Sequence, residues 1–221
     1  NGLEPDPDGD GDPANNNEGT PLFIPSIDIT KEASQTTSCA NAVGNNEVTF
    51  QIRIENTGNV GIDMINLTDD LETQLNTTFV GILSDPMIVA STASTDPTVV
   101  GGFDGRSANS DIFGGTGLLN PGEQITVEFI IEVDPNNAGM NSVFTNQAEV
   151  EGRALDINGM PLDYGFGIVL MDDLSDDGED PDSQNGGFLG DSGDSNDPTP
   201  LPISNLQIAK HIAGVDCATS G

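Results

Sequence analysis

Two runs of strict alternation constrain this chain more than anything else in it. Val48, Phe50, Ile52 and Ile54 alternate with Thr49, Gln51, Arg53 and Glu55. Ile125, Val127, Phe129, Ile131 and Val133 repeat the pattern, with Thr126, Glu128 and Glu132 between them. A period of two sends successive side chains to opposite faces of a pleated backbone, so both runs read as strands with one buried face. Ile27 and Ile29 alternate with Ser26, Asp28 and Thr30 in the same way. Ile65 and Leu67 follow a turn at Asn56-Thr-Gly-Asn59, and Phe144, Ala148 and Val150 mark a further strand before Gly152. Asn120-Pro-Gly122 and Asp134-Pro-Asn-Asn137 bracket the 123–133 strand with turn chemistry. No stretch sustains a period of 3.6. Residues 84–117, rich in Gly, Ser and Asp, read as one or two weaker strands with a long loop. The pattern as a whole predicts an all-β chain folded as an antiparallel sandwich.

Charge decides which partners such a sandwich can have. The 221 residues include 37 Asp and Glu against 5 Lys and Arg, for a net charge of −32. Five cations cannot build the basic stripe that nucleic acid requires, and anionic membrane surfaces repel the chain. With 34% hydrophobic residues the chain still has the material for a core. Half the charge sits in two short stretches. Residues 1–20 and 172–200 together hold sixteen acids and no base. No apolar run is long enough to span a bilayer, so no membrane insertion is expected. The first residues lack the charged and apolar regions of a secretion signal, so the chain reads as a mature product or a fragment.

The chain also resembles itself. Thr20-Pro-Leu-Phe-Ile-Pro-Ser-Ile-Asp-Ile-Thr-Lys31 is similar to Thr199-Pro-Leu-Pro-Ile-Ser-Asn-Leu-Gln-Ile-Ala-Lys210, and Cys39 recurs as Cys217 nearly in step. The expected organisation is an acidic linker at 1–20, one sandwich at 21–171, a second acidic linker at 172–199, and at 200–221 the first strand of a next repeat or a donor strand. One strand cannot bury its apolar face alone. Leu206 and Ile208 therefore need either a following domain or the sheet edge of another subunit.

Four of these segments carry a family resemblance. Val48-Thr-Phe-Gln-Ile-Arg-Ile-Glu-Asn-Thr-Gly-Asn-Val60 and Ile65-Asn-Leu-Thr-Asp-Asp-Leu71 come first, then Leu119-Asn-Pro-Gly-Glu-Gln-Ile-Thr-Val127 and Asn146-Gln-Ala-Glu-Val-Glu-Gly152. In that order they resemble the motifs of the bacterial "conserved repeat domain", filed as domain of unknown function eleven. The resemblance covers about residues 26–155. It implies an Ig-like sandwich of about seven strands, tandem arrays, an extracellular or cell-envelope place, and no catalytic residues. The 84–117 insertion departs from the family's pattern.

Asp6-Pro-Asp8-Gly-Asp10-Gly-Asp12 is the sharpest candidate site. Carboxylates at every second position, separated by glycine, can converge hard oxygens on one calcium ion. Position twelve counted from Asp6 is Asn17, with Glu18 one further on, so the loop is not a complete EF-hand. Asp173, Asp176, Asp177, Glu179, Asp180 and Asp182 form a second candidate, with Asp69 and Asp70 placed at a strand end where a linker can lie against them. The competing reading of both stretches is a solvated spacer extended by self-repulsion.

Enzyme chemistry finds little support. His211 is the single histidine, no GxSxG elbow is present, and no His or Cys cluster offers a zinc site. Cys39 and Cys217 hold equivalent repeat positions and read as buried or unpaired thiols, with cross-chain pairing as the alternative. Asn66-Leu-Thr68 and Asn76-Thr-Thr78 match the glycosylation sequon but read as ordinary strand and turn residues. The functional expectation is a structural unit of a calcium-stiffened bacterial surface fibre or adhesin stalk. Its partners are copies of itself or neighbouring repeats in a linear head-to-tail array. The alternative is an adhesin module whose loops bind a glycan or protein.

Overall fold

The computed structural model describes residues 22–36, 44–137, 144–178 and 196–203. Strands β1 (Ile27–Gln35), β2 (Asn46–Asn56) and β3 (Ile62–Thr68) are followed by a short helix, α1 (Leu71–Leu75). Then come β4 (Phe79–Ser91), β5 (Asp111–Leu119), β6 (Gln124–Val133), β7 (Thr145–Asn146) and β8 (Glu149–Ala154). The last strands are β9 (Leu170–Leu174), β10 (Asp176–Asp177) and β11 (Thr199–Pro200). They form a five-stranded sheet in the order β10-β1-β2-β6-β4, a four-stranded sheet in the order β5-β3-β8-β9, and a small β11-β7 pair. Every pairing is antiparallel except β1 with β10, which is parallel at Thr30↔Asp176 and Lys31↔Asp177. The fold is an all-β sandwich, as the alternation predicts.

The core follows from register. β2 and β6 align Phe50 with Phe129, Ile52 with Val127 and Ile54 with Ile125, so matched apolar faces turn inward together. The opposing sheet contributes Ile62, Ile65, Leu67, Ile112, Phe113 and Val150, all fully buried. Gly152 marks a close approach of β8 to this core. A Cβ there would stand 2.6 Å from the Ile62 side chain, which leaves no room for a larger residue.

The Asn56-Thr-Gly-Asn59 motif fixes how the chain comes in. Asn56 is buried and its amide donates to the carbonyls of Val60 (2.7 Å) and Leu119 (2.9 Å). Asn59 brackets the incoming segment, donating to Leu22 O (2.7 Å) and accepting from Ile24 N (2.6 Å). At Gly58 a Cβ would meet Ile24 O and Ser26 N at 2.5 Å, so this contact admits glycine alone.

Residues 84–117 are more regular than their composition suggests. β4 runs on to Ser91 as a sheet edge, with repeated register shifts and Asp85-Pro86 in its middle. Bulges and an edge proline both block strand addition, which is how β4 can expose Leu83, Met87 and Val89. Isolated bridges Thr95↔Leu118 and Val99↔Phe113 then fold the loop back on β5.

The expected boundary between sandwich and linker, at 171/172, falls inside β9. Asp172 and Asp173 are strand residues paired with β8. Asp173 accepts from Ile29 N (3.2 Å), and Asp176 accepts from Asp177 N (3.0 Å) and Asp197 N (3.3 Å). Backbone N–H groups hold these carboxylates, so the acidic run begins within the sheet. The start of the 200–221 segment also packs here. Thr199 and Pro200 pair with β7, and Leu201 is buried in this domain's own core. Residues 204–221 lie outside the described residues.

A buried lysine, aspartate and asparagine as the candidate functional site

Lys31 is the third inward position of β1, after Ile27 and Ile29, and strand parity carries it into the core. It is fully buried. Its Nζ donates to Asp69 Oδ2 and to Asn146 Oδ1. Asn146 Nδ2 donates in turn to Asp69 Oδ1 at 2.9 Å. Asp69 follows β3 of the four-stranded sheet and is held there by its own N–H, which donates to Ser110 O at 2.9 Å. Asn146 belongs to β7. The three side chains therefore tie β1 of one sheet to the end of β3 in the other.

Rings and one threonine seal the cluster. Lys31 Nζ lies 4.0 Å from the Phe50 ring centroid and 5.7 Å from that of Phe129. Phe103 meets Phe129 edge-on at 5.5 Å. On the other side Thr199 is buried beside Asn146, and its hydroxyl donates to Lys31 O at 2.9 Å. A polar triad buried this deeply has steep electrostatic consequences. Burial lowers the Lys31 amine from its ordinary value, against the pull of the Asp69 charge and hydrogen bond. Burial likewise raises Asp69, against Lys31 and Asn146. Both groups are driven toward their neutral forms.

The other carboxylates proposed from sequence are dispersed. The sequence places Asp69 and Asp70 where a calcium-bearing linker can reach them. The structure instead buries Asp69 against Lys31 and Asn146. Asp70 caps α1, accepting from Thr73 N (3.1 Å), Thr73 Oγ1 (2.7 Å) and Ser107 Oγ (2.7 Å). Burial is the largest single influence and raises its carboxyl, but the three hydrogen bonds together outweigh it and hold the group below the usual range. Asp173, Asp176 and Asp177 lie along the β9–β10 edge. Asp6, Asp8, Asp10, Asp12, Glu18, Glu179, Asp180 and Asp182 lie outside the described residues, as do Cys39 and Cys217. Among the described residues no group of three or more His, Cys, Asp or Glu is arranged to hold a metal. No described helix is long and apolar enough to cross a membrane.

Lys31 and Asn146 were both visible in the sequence as motif landmarks, without a role. The available signal was parity. In a chain with so few bases, Lys31 occupies a position that the Ile27 and Ile29 pattern reserves for an apolar side chain.

Asp173 gives a pH prediction. Half-burial first, then the charge of Asp28, raises its carboxyl to about 6 against hydrogen bonds from the Ile29 and Leu174 backbone, with Asp176 adding to the rise. Burial and the neighbouring Glu55 raise Asp28 too, against Arg53. A raised carboxyl binds its proton more tightly in the folded state. Its stabilising contribution is therefore full below about pH 4 and is lost as pH rises through about 6. Denaturant titrations between pH 4 and 8 should show this slope, and Asp173→Asn should flatten it. An unchanged slope in the variant would assign the effect elsewhere.

No family model matches the chain. No curated protein matches it either. Among solved structures, the KRT10-binding region domain of the pneumococcal serine rich repeat protein PsrP aligns with 69% of this chain and 100% of its own, at 10% identity and a TM-score of 0.20. A similarity that low carries no functional argument.

Proposed function

We propose that the chain is a load-bearing module of a bacterial surface fibre or stalk, arrayed head to tail with copies or neighbouring repeats. The parallel pairing of β1 with β10 supports this reading most directly. Two adjacent parallel strands, one opening the sandwich and one late in it, take the chain in at one end of the sheet edge and off at the other, before β11 packs back against β7. Tension along the chain then loads their hydrogen bonds in shear, together, rather than one after another. The buried triad behind β1 resists the same load. The net charge of −32 suits a surface that repels its neighbours sideways and keeps fibres apart.

Calcium belongs to this proposal through Asp6, Asp8, Asp10 and Asp12, whose spacing can converge oxygens on one cation. Immunogold electron microscopy of the native material should show labelled filaments outside the cell, stiffer with calcium than with a chelator. Label confined to the cell interior, or to isolated compact particles, would remove the fibre reading. Filaments indifferent to chelation would remove calcium alone.

A second reading, an adhesin module, has one observation in its favour. A groove of about 580 Å³ lies on the four-stranded sheet, lined by Met64, Asp111, Glu151, Arg153 and Asp172 among others. Met64 sits there at φ 54°, a left-handed conformation rare for a side chain of its size. That reading requires saturable binding of a glycan or peptide by the isolated domain, which a purely mechanical module does not.

A further inference from the structure

We propose that Lys31 and Asn146 become joined by an intramolecular amide bond, formed by attack of the Lys31 Nζ on the Asn146 side-chain carbonyl carbon, with Asp69 carrying the protons and ammonia leaving. The inference goes beyond the fibre reading and is independent of it, because it concerns chemistry within one folded chain.

The geometry supplies each participant. The amine contacts the Asn146 carboxamide directly, and both groups are held by strands that folding has already fixed. Pre-positioning of this kind turns an otherwise negligible amine–amide reaction into a unimolecular one with a large effective concentration. The two oxygens of Asp69 face the two nitrogens that must exchange a proton. Oδ2 meets Lys31 Nζ, and Oδ1 meets Asn146 Nδ2 at 2.9 Å. One carboxyl thus bridges nucleophile and leaving group.

The step balances without an outside reagent. The neutral amine uses its lone pair to form the Nζ–Cγ bond, and the carbonyl pair moves onto Oδ1. Asp69, entering as the neutral acid, gives its proton from Oδ1 to Nδ2 and takes one from Nζ on Oδ2. The Cγ–Nδ2 bond then breaks, the pair on Oδ1 restores the carbonyl, and ammonia departs. Nothing is oxidised or reduced, and Asp69 ends as it began. Burial supplies the starting protonation states, a lowered amine and a raised acid. Phe50 and Phe129 exclude the water that would otherwise re-solvate both groups. A buried lysine–aspartate pair returns little net stability on its own. A covalent tie between strands so distant in the chain gives this arrangement a use.

Intact-mass spectrometry on the denatured full chain should read about 17 Da below the sequence mass, one ammonia. Protease digestion should yield a branched peptide linking Lys31 to Asn146. Asp69→Asn keeps the side-chain size and removes the acid. It should restore the full sequence mass while circular dichroism still reports a folded β protein, and Lys31→Arg should do the same. A folded wild-type chain at full sequence mass overturns the proposal. So does a loss mapped to a succinimide at Asn158-Gly159 or Asn185-Gly186. A loss of about 18 Da with the branch at Asp69 overturns Asn146 as the electrophile. A branched peptide that persists in Asp69→Asn overturns the proton-carrying role.

Discussion

Replacing Lys31 with methionine is expected to lower the melting temperature by roughly 20–30 °C, the largest effect of any single substitution in this protein. Two losses combine. Asp69 is left buried with Asn146 but without the lysine nitrogen it faces, and a buried polar group that loses its partner costs about 1–3 kcal/mol. The cross-link is also gone, and closing a loop of about 100 residues contributes about 5 kcal/mol. The double variant Lys31→Met with Asp69→Leu separates the two. It removes the stranded carboxylate and should recover most of the first loss and none of the second. Thermal denaturation of the three proteins side by side is the measurement. A single variant that melts within a few degrees of wild type would show that the triad bears no structural load.

Stretched between its ends in a force experiment, the wild-type domain should release less chain than its length allows. The amide would route tension from Lys31 directly to Asn146, so residues 32–145 would never extend. At about 3.6 Å per extended residue, the missing length is about 400 Å. Lys31→Met should restore it. Equal contour lengths in the two proteins would mean that no covalent tie is present. The two experiments read different things, since stability can fall through a lost buried contact whereas hidden length requires a bond.

The sandwich was legible in the sequence because its central strands obey a single rule. β6 buries every second residue and β2 does so from Val48 onward, and their turns are written in Asn, Pro and Gly. The edges were less legible. β9 carries Asp172 and Asp173, and a run of carboxylates reads as a solvated linker when no partner is visible. The partner is Ile29 N, far away in sequence. The same holds for Thr199, whose place beside Asn146 depends on a chain reversal that local pattern does not encode. β4 was obscured for another reason. Its bulges and Asp85-Pro86 break the alternation that would have announced it.

The site was half legible. Asp69 was singled out, with calcium as its reason, because an acid at a strand end in an acidic chain suggests a cation. The partner is Lys31, from the protein itself. Parity marked Lys31 as inward, but which groups would meet it depends on how β1, β3 and β7 converge. That is a property of the sandwich rather than of any one segment.

Lys31 and Asn146 lie on strands that meet only after both sheets have closed over Phe50 and Phe129. A bond between them therefore records a past event. It can be set only by a chain that has already folded correctly, and ammonia, once lost, does not return. A disulfide made from Cys39 or Cys217 would answer to the redox state of its surroundings; this amide has no redox couple and no reverse path. Folding in such a chain works as a one-way latch. A misfolded copy stays unlatched and open to proteolysis, while a correctly folded one keeps its fastening for as long as the chain itself survives.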